Sequence, residues 1–109
     1  MLRKQVRVNS INRQAFDMQQ NVTDNAARNR FELSAGGHIA FADYRREDEI
    51  LNILHVEAPL PLRGTGAAGA LMKGIMEIAS QTRMKVRPIC SYAASWINRH
   101  REYQDLLIK

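Results

Sequence analysis

Apolar positions change period twice along this chain. From Arg30 to Arg45 they alternate: Phe31 and Leu33, then Ile39 and Phe41, with polar or small residues between. Alternation marks strands with one buried face. The Gly36-Gly37 pair between the two runs tolerates the positive φ of a tight turn, so the stretch predicts a β-hairpin. After the charged turn Arg46–Glu49, "ILNILHVEA" (Ile50–Ala58) is more continuously apolar and predicts a third, central strand, ended by Pro59 and Pro61. Ala67, Leu71, Ile75, Ile78, Ala79 and Thr82 then fall on one face of a helix of about four or five turns. Met84–Cys90 predicts a fourth strand, with Val86 and Ile89 as core candidates. "SYAASWINRHREYQDLL" predicts a second helix, broken near His100, with Ser91 as N-cap and Trp96 and Ile97 turned to the core.

The order β-β-β-α-β-α predicts a mixed α/β (α+β) fold: an antiparallel meander, a β-α-β crossover that makes the third and fourth strands parallel, and a C-terminal helix. The 109 residues suit one domain over residues 21–109, its ordered core starting near Val22. A basic extension, residues 1–20, precedes it, with Arg3, Lys4, Arg7 and Arg13 and no acid before Asp17. The expected oligomeric state is a monomer or a weak homodimer.

The single cysteine excludes an internal disulfide and suits a reducing, cytoplasmic location. No apolar run reaches membrane-spanning length. The three histidines and one cysteine lack metal-ligand spacing, so no metal is expected. The net charge of +5 is uneven: residues 31–62 hold six Asp/Glu against two Lys/Arg, residues 63–109 three against eight. A basic second half suits a polyanion such as coenzyme A, a nucleotide or nucleic acid. Nucleic acid is the weakest of these, because aromatics are only 6% and none cluster with Arg/Lys.

The basic half opens with "LRGTGAAGALM". Gly64, Gly66 and Gly69 spell the dinucleotide fingerprint G-x-G-x-x-G; Arg63, Gly66 and Ala68 spell R-x-x-G-x-A, an acetyl-CoA pyrophosphate loop. A dinucleotide fold needs the loop after its first strand and an acid about 20 residues on. Here three strands come first, and Ile89 and Cys90 stand where the acid is required. The second reading needs only a strand, the loop and a long helix, whose N-terminus attracts the diphosphate. Gly69 and Gly74 lie inside that helix, where glycine costs about 1 kcal/mol against alanine, so a close approach to a sheet or ligand is expected to compensate.

"HVEAPLPLRGTGAAGALM" followed by "KVRPICSYAASWINRHREY" resembles the small single-domain, YjdJ-type members of the GNAT acetyltransferase superfamily. The resemblance runs from about Val22 to Leu107 and rests on His55, Pro59, Arg63, Gly64, Gly66, Ala68, Leu71, Pro88, Cys90, Tyr92, His100 and Tyr103. Val56, Ala58 and Arg101 depart from the pattern. The resemblance implies acetyl-CoA as cosubstrate and acetyl transfer to an amine: a protein lysine, an N-terminus or a small amine. It places the cofactor on His55, Val56, Glu57, Arg63, Gly64, Thr65, Gly66, Ala67 and Ala68, with the third and fourth strands splayed around the pantetheine. It favours Cys90 and His55 as active-site residues, with Tyr92 as a proton donor to the leaving thiolate.

Read by residue type alone, each has an alternative. Cys90 is a nucleophile or acid activated by a helix N-terminus, or a small buried hydrophobe. His55 is a base or orienter, or a core histidine. Glu57 faces the same side of the strand as His55; it holds His55, acts as base, or is a solvated strand-edge acid. Tyr92 is an acid or a packing residue. Two functional alternatives remain at this stage: a non-catalytic CoA or acyl-CoA-binding module, and a basic nucleic-acid-binding domain.

Overall fold

The hairpin forms where its pattern places it, but its second strand buries the face opposite to the one marked by Ile39 and Phe41. Ile39 is 42% exposed and Phe41 only half-buried, because small Ala40 and Ala42 are what fit beneath the packed helix. In the computed structural model, which describes residues 22–108, Gly36 and Gly37 take φ of +57° and +80° and join β2 (Arg30–Ala35) to β3 (His38–Glu47). Phe31 and Leu33 of β2 and Ala40, Ala42 and Tyr44 of β3 are buried on one face. The described chain starts one strand earlier than the apolar pattern indicates. Val22–Asn25 forms β1, an antiparallel edge strand on β2. Only Val22 in this four-residue strand is apolar, too little for a period to be read. The meander therefore has four strands, closed by β4 (Ile50–Glu57).

Helix α1 (Ala67–Gln81) follows, then β5 (Lys85–Pro88), which pairs parallel to β4 and completes the sheet in the order β1-β2-β3-β4-β5. Leu71, Met72, Ile75, Met76 and Ala79 of α1 bury against Phe31, Leu33, Leu51, Ile53 and Val86 of the sheet. Close packing of the expected kind offsets the glycine cost inside α1 at Gly74, whereas a Cβ on Gly69 would make only an ordinary contact. A Cβ on Gly74 would stand 2.5 Å from Cγ2 of Val22, so this glycine lets α1 approach β1. Thr82 ends the helix and is exposed instead of joining its buried face.

Helix α2 covers only Ser91–Asn98, and the chain continues as a 3-10 helix over Arg101–Leu106, so the expected break falls at His100. Trp96 and Ile97 are buried, as the pattern indicates. Trp96 stacks on His100 with centroids 3.6 Å apart, and His100 Nδ1 lies 2.7 Å from the Trp96 carbonyl oxygen. The Tyr103 hydroxyl donates to Glu77 of α1 at 2.7 Å. His100 and Tyr103 therefore fasten the C-terminal turn to the helices. Ile89 is corrected from core candidate to surface residue: it is 55% exposed, because β5 ends at Pro88. The N-cap of α2 is Cys90, not Ser91. No helix among the described residues is long and apolar enough to cross a membrane.

Candidate active site

The site begins with one surplus residue in β4. His55 lies opposite Asp43 of β3, while Ile53 lies opposite Tyr44, so Leu54 is an unpaired bulge. Side chains alternate faces along a strand, and an extra residue reverses the alternation beyond it. Leu51 and Ile53 are buried before the bulge; after it Val56 turns inward, and His55 and Glu57 are exposed. Without the bulge, His55 would follow Ile53 into the core. The core-histidine reading of His55 is thus set aside by geometry: its side chain is 55% exposed and its Nε2 lies 2.9 Å from Oε1 of Glu57.

The same point marks the end of the β4–β5 ladder, whose last pair is Ile53–Pro88. Proline has no N–H to extend it. The Ile53 carbonyl accepts from both Ile89 N–H (2.9 Å) and Cys90 N–H (3.2 Å), and the chain then turns into α2. β5 ends there, and β4 continues to Glu57 paired with β3 only, its other edge free of a strand. A cleft of about 430 Å³ opens there, lined by His55, Val56, Glu57, Ala58, Arg63, Ala68 and Tyr92.

At the far side of the cleft the glycine loop enters α1. Gly64 and Gly66 take φ of +79° and +89°, and this backbone conformation is what requires glycine at both positions. A Cβ on either would meet no protein atom within 4 Å, so the space above the loop is open. Not every N–H from Gly64 to Ala68 faces inward unpaired. Thr65 N–H donates to the Leu62 carbonyl at 3.3 Å and Ala67 N–H to Thr65 Oγ1 at 3.3 Å. The N–H groups of Gly64, Gly66, Ala68 and Gly69 have no acceptor among the described residues. Gly69 is thus a fourth donor beyond the span read from the sequence, exposed because the first turn of any helix leaves its N–H groups unpaired. Arg63 donates through Nε to the Ala58 carbonyl at 3.0 Å, which holds its guanidinium at the cleft.

Tyr92, in the first turn of α2, brings its phenol to the same cleft, and its hydroxyl has no partner among the described residues. Burial pushes the phenol above its ordinary pKa; Arg99 opposes this and Cys90 adds to it. Cys90 does not line the cleft. It is half-buried, and its Sγ accepts from Ala93 N–H at 3.4 Å as the cap of α2. Of the three candidate catalytic side chains, the fold therefore brings His55 and Tyr92 to the cleft wall and leaves Cys90 out of it. Ala58 and Val56, two of the departures from the pattern of the resemblance, also form the wall. Among the described residues no group of three or more His, Cys, Asp or Glu is disposed to hold a metal.

A family model for the GCN5-related N-acetyl-transferases matches residues 30–106, a span that includes the strand, the cleft and both helices. The chain belongs to the GCN5-related N-acetyltransferase family. A GCN5-like chain from Staphylococcus aureus, whose solution structure was determined by NMR, shares this family fold. It superposes with a TM-score of 0.59 at 24% identity, over 80% of this chain and 86% of that one. No curated protein matches this family member in sequence.

Proposed function

We propose that the protein transfers an acetyl group from acetyl-CoA to an amine. The observation that carries this reading is the parting of β4 and β5 beside a glycine loop with unpaired N–H donors. The donor chemistry fits acetyl-CoA. The N–H groups of Gly64, Gly66, Ala68 and Gly69, the Arg63 guanidinium and the N-terminal end of α1 suit a diphosphate. The β5-facing edge of β4 beyond Ile53, which has no strand beside it, suits an amide-bearing arm that hydrogen-bonds like an added strand.

When bound, acetyl-CoA supplies a thioester: the amine nitrogen bonds to its carbonyl carbon, the C–S bond breaks, and the electron pair leaves on sulfur. This chain's residues manage the protons. A cationic amine must first lose one to become a nucleophile, and the His55–Glu57 pair accepts it at the cleft mouth. The raised pKa of Tyr92 keeps its phenol protonated through the neutral range, and it donates to the departing sulfur. The proton left on the new amide nitrogen returns Tyr92 to its starting form, so the net reaction releases one proton to solvent. Cys90 serves as the α2 cap in this scheme, and no acetyl-cysteine is needed.

The test is thiol release from acetyl-CoA across a panel of peptides and small amines, with acetylated product identified by mass. Amine-dependent release supports the enzyme. Tight acetyl-CoA binding with no product from any amine leaves only a CoA-binding module.

A further inference from the structure

Trp96 is the single tryptophan of the chain and is only 4% exposed. It stands on α2 one turn beyond Tyr92, on the same face of the helix. Its ring is fixed by stacking, with the His100 centroid at 3.6 Å and the Tyr103 centroid at 5.8 Å. Both partners are themselves tied down, His100 to the Trp96 carbonyl and Tyr103 to Glu77 of α1. These contacts hold the ring and leave its N–H unused. An indole N–H can only donate, and Nε1 of Trp96 has no acceptor among the described residues. No side-chain nitrogen or oxygen sealed from solvent lacks a partner among those residues. The Trp96 N–H therefore keeps an opening, although the residue as a whole is buried.

That opening faces the first turn of α1. Nε1 lies 3.5 Å from the point where a Cβ on Gly69 would stand. Beyond the backbone of α1 and the flanking residues, no other heavy atom comes within 4 Å of that point. Packing does not require a glycine there, unlike at Gly74; what the missing Cβ secures is free space beside Nε1. The Gly69 N–H has no acceptor either. Covalent geometry puts the two donor nitrogens no more than about 6 Å apart. Two N–H···O bonds of about 2.9 Å to one phosphate group span that separation. A helix start with unpaired N–H groups attracts an anion. A buried, rigidly held and unpartnered side-chain donor beside it marks where that anion lies.

We propose that Trp96 is a binding residue whose indole N–H donates to a phosphate oxygen of the acetyl-CoA diphosphate, next to the N–H of Gly69. The inference rests on the acetyl-CoA reading and adds to the glycine loop a donor from the opposite helix. Diphosphate binding thereby ties α1 to α2, the helix that carries Tyr92 to the cleft.

The test uses the wild-type protein in a proton–nitrogen correlation spectrum, where its one tryptophan gives one indole N–H resonance. Saturating acetyl-CoA is expected to move that resonance downfield and to slow its exchange with solvent. Acetyl-dephospho-CoA, which lacks only the ribose phosphate, has the same effect. Acetyl-pantetheine, which lacks the diphosphate, does not. Trp96→Phe keeps a stacking ring and removes the donor. Calorimetry is expected to show this variant binding acetyl-CoA about tenfold more weakly, the loss of one hydrogen bond to a charged group. Its affinity for acetyl-pantetheine stays that of the wild type. Three results overturn the role of Trp96 and leave acetyl-CoA binding standing. One is an indole resonance that stays in place while the loop amides respond to acetyl-CoA. Another is a shift that acetyl-pantetheine reproduces or that needs the ribose phosphate. The third is a folded Trp96→Phe variant with full acetyl-CoA affinity. Wild-type protein that binds no acetyl-CoA overturns the underlying reading instead.

Discussion

His55 Nε2 lies 2.9 Å from Glu57 Oε1, and both side chains stand at the cleft because Leu54 is bulged out of register just before them. Residues two apart on one strand face share an environment, and in the proposed mechanism the pair acts as one proton acceptor. Glu57→Gln and His55→Gln are each expected to lower kcat about 10²-fold, the range of a general base. The double variant is expected to be little worse than either single one. Steady-state kinetics of all three measure the coupling; additive losses would mean that the two residues act separately.

Tyr92→Phe removes the proposed donor to the leaving thiolate while keeping the ring in the cleft wall. The expected result is a fall in kcat of about 10²-fold with acetyl-CoA affinity intact. Burial raises the Tyr92 pKa above 10, so any alkaline limb that it contributes to the wild-type profile lies above pH 10. A pH–rate profile checks both statements.

Tyr103 makes a different kind of hydrogen bond. It is 7% exposed, and burial together with Glu77 raises its pKa well above the ordinary tyrosine value of 10.0. A group whose pKa is raised by folding stabilises the fold fully below its unfolded pKa, and that contribution is lost as pH rises through the folded value. The protein is therefore expected to lose stability above pH 10. Tyr103→Phe should cost about 1–2 kcal/mol at neutral pH and flatten the alkaline decline. Urea unfolding at several pH values measures both.

The two helix glycines separate packing from propensity. A Cβ on Gly74 would stand 2.5 Å from Val22 Cγ2; one on Gly69 would rest 3.5 Å from Trp96 Nε1, an ordinary contact. Gly69→Ala is expected to stabilise the fold by up to about 1 kcal/mol. Gly74→Ala is expected to destabilise it, because overpacking of about 1–3 kcal/mol exceeds the helix gain. Adding Val22→Ala to Gly74→Ala should recover part of that loss. Thermal melts of these variants against the wild type test this.

These relationships differ in how far the sequence announces them. The hairpin, the central strand and α1 are legible because Phe31, Leu33, Leu71 and Ile75 repeat at the period of their element. The loop is legible because positive φ at Gly64 and Gly66 demands glycine. β1 is hidden because its four residues hold one apolar side chain, and so Gly74's partner, Val22, could be named only once the fold was known. The bulge at Leu54 is hidden for another reason. "ILNILHV" is apolar on both faces, so no alternation reveals the extra residue that turns His55 outward. The cap of α2 stands one position earlier than Ser91: Cys90 and Ser91 can each cap a helix, and the thiol is the one that accepts from Ala93.

The central claim is that the open loop and the parted strands hold acetyl-CoA, and calorimetric titration tests it most directly, with NADH and ATP as controls. The account predicts saturable binding of acetyl-CoA, stronger than that of either control. Gly66→Glu should weaken it sharply, because a side chain and a negative charge then enter the space where the diphosphate lies. Folded wild-type protein that takes up no acetyl-CoA, or a Gly66→Glu variant that binds it as well as the wild type, would contradict the account.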